Sequence, residues 1–159
     1  MIKIIYIKLF FLISIFGIIN SCVIQKGEES FVRRKLTLKD FPQIKNEKNI
    51  EKLIAFFDSA NCVYSKGVGW GYRYSDIYAN YERLTEIASR QELLNLTNHK
   101  NPTIRIYAYG ALRKENKRLA KKAKKILLKD TSNVCYFRGC IRSEKQVKEL
   151  VESLKTFPL

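Results

Sequence analysis

The sequence predicts an all-α domain of short stacked helical hairpins, set behind an apolar leader and a polar tether. Three observations predict it. Apolar residues past position 47 recur at the i, i+3, i+4, i+7 spacing of one helix face. Capping signals punctuate that pattern at Ser75, Ser89, Asn101, Asn116 and Ser143. Asn101-Pro102 supplies a turn that stops one helix and starts the next.

The leader comes first in the chain. Lys3 and Lys8 form a positive n-region, and Leu9 to Ile19 is an almost unbroken apolar run. At about eleven residues it has the length of a signal-peptide h-region and is short of the roughly 20 needed for a spanning helix. An uncleaved anchor that reaches back through Ile4 and across Lys8 is the alternative. Asn20-Ser21-Cys22 closes the run. A small residue directly before a Cys resembles the lipobox of bacterial lipoproteins, although Ile19 and Asn20 replace the commoner Leu and small residue. The resemblance implies a signal peptide over 1–21 and a diacylglycerol on the Cys22 thiol. It places the protein in the bacterial cell envelope, anchored by lipid in the inner or the outer membrane. An ordinary signal peptide with an incidental Cys is the bland reading. Residues 22–47 are polar and charged, contain Pro42, and read as a tether.

From residue 48 to 159 the elements follow in order. Ile50, Leu53, Ile54 and Phe57 define a first helix. Residues 65–71, Ser-Lys-Gly-Val-Gly-Trp-Gly, form a Gly-rich loop. It lacks the Gly-Lys-Ser/Thr ending of a phosphate-binding loop and follows no clear strand, so it reads as structural, with Trp70 packed on the helices. Ser75 caps a helix bearing Ile77, Tyr81, Leu84 and Ala88. Ser89 with Glu92 is a capping box that opens a helix through Leu93, Leu94 and Leu96. After Asn101-Pro102, Ile104, Ala108, Ala111 and Leu112 fall on one stripe whose small residues admit a close neighbour. Asn116 caps a helix with Leu119, Ala123, Ile126 and Leu127 on one face. Ser143 to Gln146 reads as a second capping box before Val147, Leu150, Val151 and Leu154.

Residues 101–112, Asn-Pro-Thr-Ile-Arg-Ile-Tyr-Ala-Tyr-Gly-Ala-Leu, resemble the turn and second helix of a HEAT repeat. The resemblance implies that Arg105 joins a polar ladder between repeats and that Leu93 to Leu96 lie on the first helix. A degenerate second turn follows at Asp130-Thr131-Ser132-Asn133-Val134, with Cys135 where the ladder Arg would stand. The longer string, a Tyr-rich entry helix, then Glu-Leu-Leu-Asn-Leu-Thr-Asn-His over 92–99 and Asn-Pro-Thr-Ile-Arg-Ile-Tyr-Ala-Tyr over 101–109, also resembles small uncharacterised lipoproteins of Bacteroidetes-type bacteria. A helical stack of this kind offers a face for protein binding. The expected function is therefore a lipid-anchored, non-catalytic protein-interaction module with an unknown partner in the envelope. The alternative is a small envelope enzyme, with a site around Tyr72, Tyr74 and the Gly-rich loop, or a protein that binds anionic lipid or another polyanion.

Formal charge is +15, from 30 Lys and Arg against 15 Asp and Glu. Such a chain can bind polyanions, and export argues against nucleic acid as the partner. A richness in Ile, Lys, Asn, Tyr and Phe, as an AT-rich genome favours, also accounts for such a charge. The densest run gives six anion-binding candidates: Lys117, Arg118, Lys121, Lys122, Lys124 and Lys125. The bland reading is a solvated helix face. No catalytic residue stands out. His99 is the sole histidine, and the paired Glu28-Glu29 lies in the tether. Metal and cofactor are not expected, since no Cys-x-x-Cys pair occurs. In an oxidising compartment Cys135 and Cys140 are the disulfide candidates, with Cys62 able to compete for either. On an unbroken helix that pair cannot bridge, so the bond requires a bend at Gly139.

Overall fold

In a computed structural model, residues 37–154 are described. The expected signal segment, Cys22 and most of the expected tether lie outside them, as do residues 155–159. After a short 3-10 turn at Leu38–Asp40 come α1 (Pro42–Lys45), α2 (Ile50–Ala60), β1 (Cys62–Val68), β2 (Arg73–Tyr74) and α3 (Asp76–Ile87). Then follow α4 (Arg90–Leu96), α5 (Pro102–Glu115), α6 (Lys117–Leu127), β3 (Asn133–Gly139), β4 (Ile141–Gln146) and α7 (Val147–Ser153).

The fold is α/β, which corrects the all-α expectation. A four-stranded mixed sheet, ordered β2-β1-β3-β4, pairs β1 with β3 in parallel and adds antiparallel neighbours on both sides. The helical stack of repeats is replaced by helices gathered around α5. That helix packs on α2, α3, α4, α6 and α7, and also on β1 and β3. Being surrounded, it is buried well beyond a single stripe: Ile104, Ile106, Tyr107, Ala108, Ala111 and Leu112 all have no solvent exposure. A helix enclosed on all sides is apolar or small on all sides. Ala108, Gly110 and Ala111 let its neighbours approach.

The helix starts follow the capping chemistry. Asn49, Ser75, Ser89, Asn101 and Asn116 each accept a backbone N–H with the side-chain oxygen. At Ser89 the reciprocal bond from its own N–H to Glu92 completes the box. Asn61 ends α2 in the left-handed region, at φ 43°, with its N–H on the Phe57 carbonyl.

Both regions where the helical reading fails are strands. Residues 133–139 hold Val134, Cys135, Tyr136 and Phe137, β-branched and aromatic types that suit a pleated surface. Arg138 pairs with Ile141, so Gly139 and Cys140 alone make the turn of a hairpin. Gly139 has φ 55° there, a value that the first position of a two-residue hairpin loop demands. The expected capping box at Ser143 is instead the end of β4. Its helix begins at Val147, after Gln146, with no side-chain cap. The expected second repeat turn at Asp130 leads into β3 rather than a helix.

The hairpin also decides the cysteines. Cys135 lies within β3 and Cys140 in the turn beyond its end, about 13 Å of strand away, so the expected bond between them does not form. Cys135 is bonded to Cys62, its register partner on the parallel neighbour, with Cα atoms 4.5 Å apart. Cys140 is free and exposed at the turn.

Val63 and Val134 point into the helical layer and are buried. Tyr64 and Phe137 alternate to the opposite face, where their rings lie 5.2 Å apart. Tyr107 of α5 stacks on Phe57 at 4.5 Å, and its hydroxyl accepts the Tyr64 N–H at 2.7 Å. From Tyr107 the aromatic contacts continue through Tyr81, Tyr78 and Tyr74 to Phe41, each step between 5.3 and 5.8 Å. Leu38 is buried beside this row, so the chain is already part of the core at that point.

Candidate anion-binding face

Helix α6 has the sequence Lys-Arg-Leu-Ala-Lys-Lys-Ala-Lys-Lys-Ile-Leu. Asn116 starts it by accepting the Leu119 N–H at 3.0 Å. Ala120, Ala123 and Leu127 are buried against α4, α5 and α7. These three residues span one side at helical spacing, and the 3.6-residue period turns Lys117, Arg118, Lys121, Lys122 and Lys125 away from it, with Lys124 at its edge. Lys117, Arg118, Lys121, Lys122 and Lys125 are exposed, and Lys124 is half-buried at the flank. The structure therefore joins these candidates into one contiguous face.

No Asp or Glu lies within α6. Ion pairs elsewhere in the fold include Lys52–Glu47, Lys66–Glu82, Arg83–Glu86 and Arg105–Asp130. Lys117 and Arg118 occupy the first turn, where the helix dipole already presents its positive end. Their charge adds to that end instead of offsetting it. Ile126 was expected on the buried side. It lies at the border of the face and is 59% exposed, because Leu127 and Ala123 fill the contact with the neighbouring helices.

The region suggested for an enzyme site forms a different kind of cluster. The Tyr74 hydroxyl donates to Glu82 at 2.5 Å, and Lys66 Nζ sits 3.9 Å from the same carboxylate. Lys66 also lies 5.8 Å from the Tyr78 ring, and Lys114 lies 4.5 Å above the Tyr81 ring. Burial pushes the Tyr78 phenol up to about 12, with the Glu82 charge adding to it. Burial and the Glu82 contact raise Tyr74 as well. Burial lowers Lys114, while Glu82 opposes that shift. Tyr74, Glu82 and Lys66 satisfy one another, and phenols held protonated supply no base near neutral pH. Tyr72 is not part of this cluster. It stands 67% exposed in the loop, and Trp70, expected to pack on helices, is 71% exposed.

His99 Nδ1 accepts the Asn101 N–H at 3.1 Å, which ties the imidazole to the turn before α5. Arg105 donates from Nη1 to the carbonyls of His99 and Lys100 and reaches Asp130 at 2.8 Å through Nε. That last contact is ionic and off the line of the N–H. Among the described residues no three His, Cys, Asp or Glu side chains gather as metal ligands. None of the described helices is long and apolar enough to cross a membrane. No family model matches this chain, and no curated protein matches it.

Sequence reasoning missed the tip that Trp70 and Tyr72 share with Ile141. The signal was present in alternating Gly residues at 67, 69 and 71, which give the chain left-handed freedom at 69 and 71.

Proposed function

We propose that the protein is a non-catalytic, lipid-anchored module of the bacterial cell envelope that lays its folded domain on an anionic membrane surface through α6. The observation that carries this reading is the basic face of α6, where Lys117, Arg118, Lys121, Lys122 and Lys125 stand exposed and no acidic residue of the helix itself intervenes. Each Lys or Arg near an anionic bilayer contributes on the order of 1 kcal/mol, within a Debye length of about 8–10 Å. Several such residues on one rigid face act together. The diacylglycerol expected on Cys22 brings two acyl chains and anchors the chain by itself, and the basic face then sets how the folded domain lies on the surface. The expectation of a protein partner rests on the exposed face of a helical repeat stack. With helices gathered around a sheet, that support is gone. The non-catalytic part is supported by the mutual pairing of Tyr74, Glu82 and Lys66.

Lysine footprinting of the full chain in vesicles tests the proposal. In phosphatidylglycerol-containing vesicles, acetylation of Lys117, Lys121, Lys122 and Lys125 should fall several-fold relative to phosphatidylcholine vesicles. Added salt should restore it. Exposed Lys48 and Lys52, away from α6 in sequence, serve as internal references. Equal acetylation of the α6 lysines in both vesicles would overturn the reading.

A further inference from the structure

Among the described residues the large apolar side chains left exposed are Trp70, Tyr72, Ile126 and Ile141. Three of them belong to one place. Trp70 and Tyr72 lie in the β1–β2 loop, and Ile141 follows the β3–β4 turn. The Gly69 N–H donates to the Gly139 carbonyl at 2.8 Å and pins the two tips together. Tyr72 and Ile141 line the same open cavity of about 510 Å³, with Tyr136, Arg138, Cys140 and Lys145.

We propose that these joined tips enter the headgroup layer of an anionic bilayer, with Trp70, Tyr72 and Ile141 as the inserted side chains. The inference rests on the membrane reading above for its occupant and uses no residue of α6. Tip composition favours this occupant. Trp and Tyr prefer the membrane–water boundary because each has an apolar ring and a polar group. Residues 67–73 and 138–142 carry Arg73, Arg138 and Arg142 and no carboxylate, which complements anionic headgroups. The tip is also formed before it meets a membrane. Gly69 and Gly71 adopt φ 70° and 87°, and Tyr72 itself holds φ 55°. The Tyr72 ring lies directly over Gly67, where any Cβ would strike it. Insertion therefore orders little further chain.

Trp70 is the only tryptophan of the chain, so its emission reports the tip alone. The test uses the full chain in phosphatidylglycerol–phosphatidylcholine vesicles with bromine on the upper acyl chains. Trp70 emission should shift to the blue and be quenched by the brominated lipid. The Ile141→Asp variant, changed at a site 71% exposed and therefore expected to fold, should lose most of that quenching. Emission unaffected by brominated lipid overturns the inference and leaves the tip free for a protein partner. Quenching equal in Ile141→Asp and wild type overturns it too. Protected α6 lysines with silent Trp70 would remove only the tip. Quenched Trp70 with unprotected lysines would remove only the α6 reading.

Discussion

Cys62 and Cys135 face each other across the parallel β1–β3 pair, and their bond joins positions 73 residues apart in the chain. Everything from β1 through α6 lies inside that covalent loop, including α5 at the centre of the core. The cross-link thus secures the one parallel pairing in the sheet. Its closure is a long-range contact that the helices inside the loop must permit.

Loss of that bond should lower stability. Constraining a loop of this size in the unfolded chain stabilises the fold by about 2–4 kcal/mol. The Cys62→Ala, Cys135→Ala double variant should unfold in urea with a midpoint lowered to match. Peptide mapping of the oxidised protein should recover Cys62 linked to Cys135 and Cys140 open to alkylation. Recovery of a Cys135–Cys140 peptide would contradict the β3–β4 hairpin.

The small residues of α5 should not tolerate charge. Ala108 and Ala111 have no solvent exposure, so Ala108→Arg or Ala111→Arg buries an unpaired cation at a cost of several kcal/mol. Lys121→Ala, on the exposed side of α6, should change stability by less than about 0.5 kcal/mol. Thermal melts compare the three. An unchanged melting temperature for Ala111→Arg would remove α5 from the core.

Alkaline pH should unfold the protein by way of the tyrosine row. Burial raises Tyr78 to about 12 in the fold and also raises Tyr74, Tyr81 and Tyr107. A raised phenol favours the protonated form in the folded state. Its stability contribution is complete below the unfolded value of about 10 and is lost as pH rises through the folded value. Melting temperature should therefore hold steady from this cause up to about pH 10 and then fall. The Tyr78→Phe variant should fall less steeply. A folded-state tyrosinate titration with every midpoint at the ordinary value would contradict this.

By itself the sequence determined the local steps of the fold. Ser75, Ser89, Asn101 and Asn116 cap helices because a side-chain oxygen can reach an N–H two or three residues on, whatever else the protein does. The spacing of Ile104, Ala108, Ala111 and Leu112 marked a buried helix for the same local reason. The six bases of α6 were legible as a run. Their union into one face followed from the helical period once Ala120, Ala123 and Leu127 found neighbours.

Tertiary structure decided the rest. The segments 62–68 and 133–139 are short, and neither shows clean alternation, because a strand packed on one face and cross-linked on the other carries mixed side chains on both. Strand pairing joins residues far apart in sequence, and no local spacing records it. That pairing put Cys62 beside Cys135, left Cys140 at a turn, and brought Trp70 and Tyr72 to the same tip as Ile141. Caps and helix faces depend on contacts within a few residues. Sheet register, the disulfide and the exposed tip depend on which distant segments meet, and only the folded chain fixes that.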